Sequence, residues 1–228
     1  LSERLVPTLD QLLHDETIDE RVELAAVLMG LAEPLGASVA CSHLLPLMRM
    51  LLDDTNTNVR LAVINGLRPF ILLVGSESDA GSAGAVTGEV GELGAMLSSL
   101  ATDGNWRVRH ATLLLLPTLA TSAAFSAVSI SRAPADFETW ATDKCALIRS
   151  DWVRMCAEIA EVPGYSSAWL VQHVLPVLLR RHADTASYEK RAVLLHGMAR
   201  LAPHLGVRPL EEELLPLALS MATDKVRE

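Results

Sequence analysis

The chain has 228 residues, 50% of them hydrophobic and only 4% aromatic, with a formal net charge of −9. Such a balance supplies a large aliphatic interior and favours helices packed through Leu, Ala and Val over an aromatic-rich β-sandwich. It argues against nucleic acid as a partner, because phosphate neutralisation supplies most of that affinity and the best basic cluster is the short Arg180-Arg181-His182 at a helix end.

The first predicted copy of a repeat spans 2–36. An opening amphipathic helix carries Pro7, a polar turn holds Asp15, and a second helix starts near Arg21 and closes at Gly36. The second copy, 39–75, is the clearest. Leu44, Leu45, Leu47, Met48, Leu51 and Leu52 fall at helical spacing, and the polar run Asp53–Asn58 breaks the pattern. Val59, Ala62, Val63, Gly66, Leu67, Phe70 and Ile71 then resume it, and Gly75 stands where a left-handed helix end is expected, as do Gly36 and Gly206. Residues 75–94 are rich in Gly, Ser and Ala without an apolar period, which predicts a flexible insert over 76–90. Further copies are predicted at 90–121, 134–163 and 167–206, with part of a sixth at 208–228. Residues 121–136 are irregular, and Pro134 is expected to open a short first helix for the fourth copy.

Three landmarks recur together. Asp15, Asp54, Asp103, Asp143, Asp184 and Asp224 are separated by 39, 49, 40, 41 and 40 residues. Eight residues before each stand Pro7, Pro46, Ala95, Ala135, Pro176 and Pro216, and six residues after the first five stand Arg21, Arg60, Arg109, Arg149 and Lys190. The proline inside the first helix of four of the six copies predicts a recurring kink. Each Asp is placed to accept backbone N–H groups at the start of the second helix, and each Arg to reach the Asp of the next copy, forming a structural ladder. One helix pair cannot bury its apolar face alone, so successive copies must cover each other.

Reactive chemistry is not visible. Seven histidines are scattered, Cys41-Ser42-His43 has no further ligands nearby, and no phosphate-binding glycine loop occurs. Glu211-Glu212-Glu213 is expected to open a helix, where negative charge is favourable. No enzyme activity, cofactor or metal is expected. Cys41, Cys145 and Cys156 form no C-x-x-C pair and suit a reducing compartment, so the expected location is the cytoplasm, with the nucleus as a second. The first residues read as amphipathic helix and not as a leader. The most apolar stretch, Leu113–Ile130, is interrupted by Pro117 and several Ser and Thr, so no membrane partner is expected.

The kinked helix, the Asp turn and the Val-Arg or Ile-Arg start of the second helix resemble HEAT repeats. The order of HLLPLMRMLLDDTNTNVRLAVINGL, TDGNWRVRHATLLLLPTLA, TWATDKCALIRSDW and HVLPVLLRRHADTASYEKRAVLLHGMARLAP is similar to the late repeats of the scaffold (A) subunits of protein phosphatase 2A. That resemblance covers nearly the whole chain, and Asp103–Arg109 is its most specific piece. It implies an all-α, right-handed α-α superhelix of about five and a half helix pairs, working as a non-catalytic scaffold. It further implies that a phosphatase catalytic subunit docks on the intra-repeat turns, with a regulatory subunit held by earlier repeats. Carried over by motif, Asn105, Trp106 and Arg107 fall in the contact turn, and Tyr188 and Arg191 resemble the aromatic and basic residues of the fifth turn, which is one residue longer here. Ala146 stands where the family has an aromatic residue. That departure, with the Gly-rich insert, keeps open an adaptor for a different protein cargo, such as a transport or assembly factor. Trp106 could instead cap the core; Trp140, Trp152 and Trp169 are expected in it.

Overall fold

The computed structural model describes residues 7, 8, 11, 17–77, 83–122, 125, 137–180 and 188–222. Among these every regular element is helical and there is no strand, so the fold is all-α. The chain divides into two compact units, Leu1–Arg132 and Ala133–Glu228. In the first lie α1 (Ile18–Leu35), α2 (Ala37–Leu52), α3 (Thr57–Glu77), α4 (Ala83–Leu100), α5 (Trp106–Leu114) and α6 (Leu116–Thr121). In the second lie α7 (137–141), α8 (Ala146–Ala160), α9 (167–180), α10 (Tyr188–Leu201) and α11 (207–222).

Within the first unit, α2 pairs with α3 and α4 with α5 across short turns. The second helices form one row, α1 against α3 and α3 against α5 and α6, while α2 packs on α4 in the other. Within the second unit, α8 packs on α10 and also meets α9. The repeat register reappears in what is buried. Val59, Val108 and Ile148, each five residues after its turn Asp, are fully covered. So are the pairs nine and ten residues after it: Leu24 and Ala25, Val63 and Ile64, Thr112 and Leu113, Trp152 and Val153.

The prolines are accommodated by a wider turn. In α2, α9 and α11 a five-residue π-helical segment, Ala40–Leu44, Leu170–Val174 and Leu210–Leu214, ends just before Leu45-Pro46, Leu175-Pro176 and Leu215-Pro216. Proline offers no N–H and crowds the carbonyl four residues back. The preceding Leu amide therefore reaches five back, Leu45 N–H to Ala40 O, Leu175 to Leu170 and Leu215 to Leu210. Glu211–Glu213 consequently lie inside such a segment and do not open the helix, which starts at Val207.

Other expectations need correction. Gly36 closes α1 with a positive φ (78°) but an extended ψ (160°) in place of the expected left-handed helical cap, and Gly75 lies inside α3, where a Cβ would come 2.6 Å from Ser122 Oγ. Gly206 has φ −69° and precedes α11 as its N-cap. The Gly-rich run read as a loop is already helical from Ala83, so α4 takes in most of it; residues 78–82 are outside the described residues. Pro134 and Ala135 are outside them too.

The longest apolar helix is not the stretch singled out from the sequence. Thr57–Gly75, with mean hydropathy 1.3, is long and apolar enough to cross a membrane by length and composition. Its Val59, Val63, Ile64, Leu67, Phe70, Ile71 and Val74 are buried in the core of the first unit, so neighbouring protein already covers that face.

Candidate functional site

Among the described residues, three turns between paired helices are built the same way. Asp54 Oδ1 accepts the N–H of Asn56 at 2.7 Å, Asp103 Oδ1 that of Asn105 at 2.7 Å, and Asp143 Oδ1 that of Cys145 at 2.8 Å. The Asp therefore fixes the turn itself, one step before the helix. The N-cap role expected of it passes to the residue two on: Asn56 Oδ1 accepts from Asn58 N–H at 2.8 Å and Asn105 Oδ1 from Arg107 N–H at 2.9 Å. In the fourth copy Cys145 occupies the cap without a side-chain bond. In the first copy a capping box does the work, Thr17 with Glu20, a Thr-x-x-Glu signal that sequence reading passed over.

The arginines grip the same turns. Nη1 of Arg60, Arg109 and Arg149 donates to the carbonyl of the Asp six residues before, at 2.7, 2.8 and 2.7 Å, and to the following carbonyl. In Arg21 and Arg60 the guanidinium also reaches the next copy. Arg21 binds Asp54 through both carboxylate oxygens, at 2.7 and 3.3 Å, and Arg60 Nη2 binds Asp103 at 3.0 and 3.2 Å. These two rungs lie within the first unit. Asp15, Asp184 and Asp224 are outside the described residues. Burial alone would raise the Asp54 carboxyl, but the Arg21 hydrogen bond, the Asn56 N–H and the charges of Arg21 and Arg60 outweigh it and hold it below the usual carboxylate range. The Arg21 guanidinium is correspondingly held up by its bond to Asp54.

This frame leaves the first residues of the second helix facing outward. Trp106, the first residue of α5, is 42% exposed, so it does not cap the core. The Arg107 guanidinium lies over its ring, 5.8 Å from the centroid, and His110 is tilted against it at 6.4 Å. Asn105 positions the pair by capping the helix. In the second unit, Ala146 and Leu147 begin α8, and Leu147 is exposed. Tyr188 begins α10 and Arg191 is half-buried in its first turn; the Tyr188 and Lys190 side chains are outside the description. Trp140 and Trp152 are buried as expected, while Trp169 is only half-buried, its ring edge-on to Phe137 at 5.9 Å and to Tyr165 at 5.3 Å.

Other candidate chemistry separates in space. Cys41 is buried whereas His43 is exposed, and among the described residues no three His, Cys, Asp or Glu side chains converge. Burial pushes the Cys156 thiol far above its ordinary range, which makes it unreactive. Arg180 is paired with Glu138 at 2.8 Å; Arg181 and His182 are outside the described residues. Neither a family model nor a curated protein sequence matches the chain.

Proposed function

We propose that the chain is a HEAT-type repeat scaffold without catalytic activity that docks a partner protein through its intra-repeat turns. The partner is the catalytic subunit of a protein phosphatase 2A-type enzyme. The observation that carries this reading is the Trp106–Arg107 pair, an exposed indole and guanidinium stacked on each other at the head of a capped helix. Trp and Arg are the side chains that most often anchor interfaces, and a pre-stacked pair loses little conformational freedom on binding. A resident role in the cytoplasm, with the nucleus second, belongs to the same proposal.

A pull-down comparing wild type with Trp106→Ala/Arg107→Ala tests it. Loss of two anchors should weaken recovery of the phosphatase by about 30-fold or more, since one hot spot is worth about 2 kcal/mol and each 1.4 kcal/mol is tenfold. Equal recovery by both proteins, with unchanged circular dichroism, rules the site out. Ala146 and exposed Leu147 favour a second reading, an adaptor for another protein cargo. Mass spectrometry of proteins co-purifying with wild type but not with the double variant separates the two.

A further inference from the structure

In the first unit, α1 and α3 cross closely at Gly66, where a Cβ would stand 2.6 Å from Met29 Cγ. Beside this crossing runs a groove of about 620 Å³, bordered by Met29, Gly30, Glu33, Asn65, Pro69 and Leu72 among others. Gly30 has no side chain, so what it presents to the groove is backbone. Its carbonyl lies four residues before Pro34, and the Asn65 carbonyl lies four residues before Pro69; both prolines are inside their helices. Neither proline has an N–H to give, so each helix lacks the donor that would ordinarily occupy that oxygen. Gly30 and Asn65, whose carbonyls are each short of the usual helix donor, thus border one groove together with the acidic Glu33 and the apolar Met29 and Leu72. Arg68, exposed on α3, does not border it.

We infer that this groove binds a guanidinium group on a short aliphatic stem, the side chain of an arginine presented by a partner polypeptide. The carboxylate supplies the opposite charge, and the net charge of −9 draws in a cation. The planar fork has five donors, which suits several separated acceptors, while the stem lies along Met29 and Leu72. The inference is independent of the Trp106 turn and stands or falls without it.

The test is titration of the full chain with acetyl-Gly-Arg-Gly-amide, followed by NMR of the Gly30 and Asn65 amides, beside the neutral citrulline isostere. The arginine peptide should give saturable shifts at both residues and the citrulline peptide none. Gly30→Leu fills the groove from a position where a Cβ meets nothing within 4 Å, and it removes a helix-weakening glycine. It should abolish the response without lowering the melting temperature. Glu33→Gln should weaken binding about tenfold, the loss expected for one charge-assisted hydrogen bond. Should Gly30→Leu melt lower, the citrulline comparison and Glu33→Gln decide alone. Equal shifts from citrulline, no shifts at all, or an undiminished response in Glu33→Gln would overturn the assignment.

Discussion

Arg60 shows how much one side chain can hold. Its guanidinium donates to two carbonyls of its own turn and to both oxygens of Asp103 in the next copy, at a site where both side chains are largely covered. Arg60→Ala leaves those acceptors without their donor and should cost about 2–4 kcal/mol in urea denaturation, the range for a buried charged group losing its partner. Arg60→Lys keeps the charge but not the fork, so it should recover only part of that loss. The Asp54 carboxylate adds a pH dependence. Its folded-state pKa lies below the unfolded one, so its contribution is complete above the unfolded value of about 3.9 and disappears as pH falls through the folded value. Melting temperatures of wild type and Asp54→Asn should therefore differ at pH 6 and converge as pH falls through the folded value; a gap that stays constant would contradict the pairing. The Asp and Arg positions were legible because an Asp recurs with an Arg, or Lys in the fifth copy, six residues after it. The division of labour between them was not, because a turn of three residues decides whether Asp or the following Asn meets the helix amides.

At the scale of elements, the caps and close crossings set which helices form and where they meet. Asn105→Ala removes the cap of α5 and should cost about 1 kcal/mol, measured by thermal denaturation. It should also loosen the Trp106–Arg107 pair. Gly66→Val pushes a branched side chain into Met29 and should cost about 1–3 kcal/mol, with Met29→Ala restoring part of it. If Gly66→Val is as stable as wild type, the close approach of α1 and α3 is not a constraint. Helix periodicity identified α3 well because its buried positions follow a single apolar stripe. It failed for 83–94, where Gly and Ala give no stripe to read although their backbone is helical. The proline signal was read correctly as a recurring irregularity, but a kink and a π-turn leave the same mark in a sequence.

For the whole molecule, composition sets the colloidal behaviour. With a net charge of −9 at neutral pH and a pI near 5.3, self-repulsion vanishes in mild acid. Light scattering should rise on approach to pH 5.3 and fall again at pH 7; a flat profile would show that charge does not govern association. The all-helical character was legible because helix-forming aliphatic residues recur along the chain. What meets Trp106 was not, since an exposed indole looks the same in a sequence as a buried one.

The two ends of Arg60 answer to different stimuli. Its hold on the carbonyls of its own turn involves neutral oxygens that no ordinary acidity can protonate, whereas its hold on the neighbouring copy depends on an ionised carboxylate. Within the first unit, acid would therefore part the seams between adjacent hairpins first; at each corner the Asp-to-amide bond would lose some strength, but the arginine would keep its grip on neutral carbonyls. Failure would begin at the mortar before it reached the bricks.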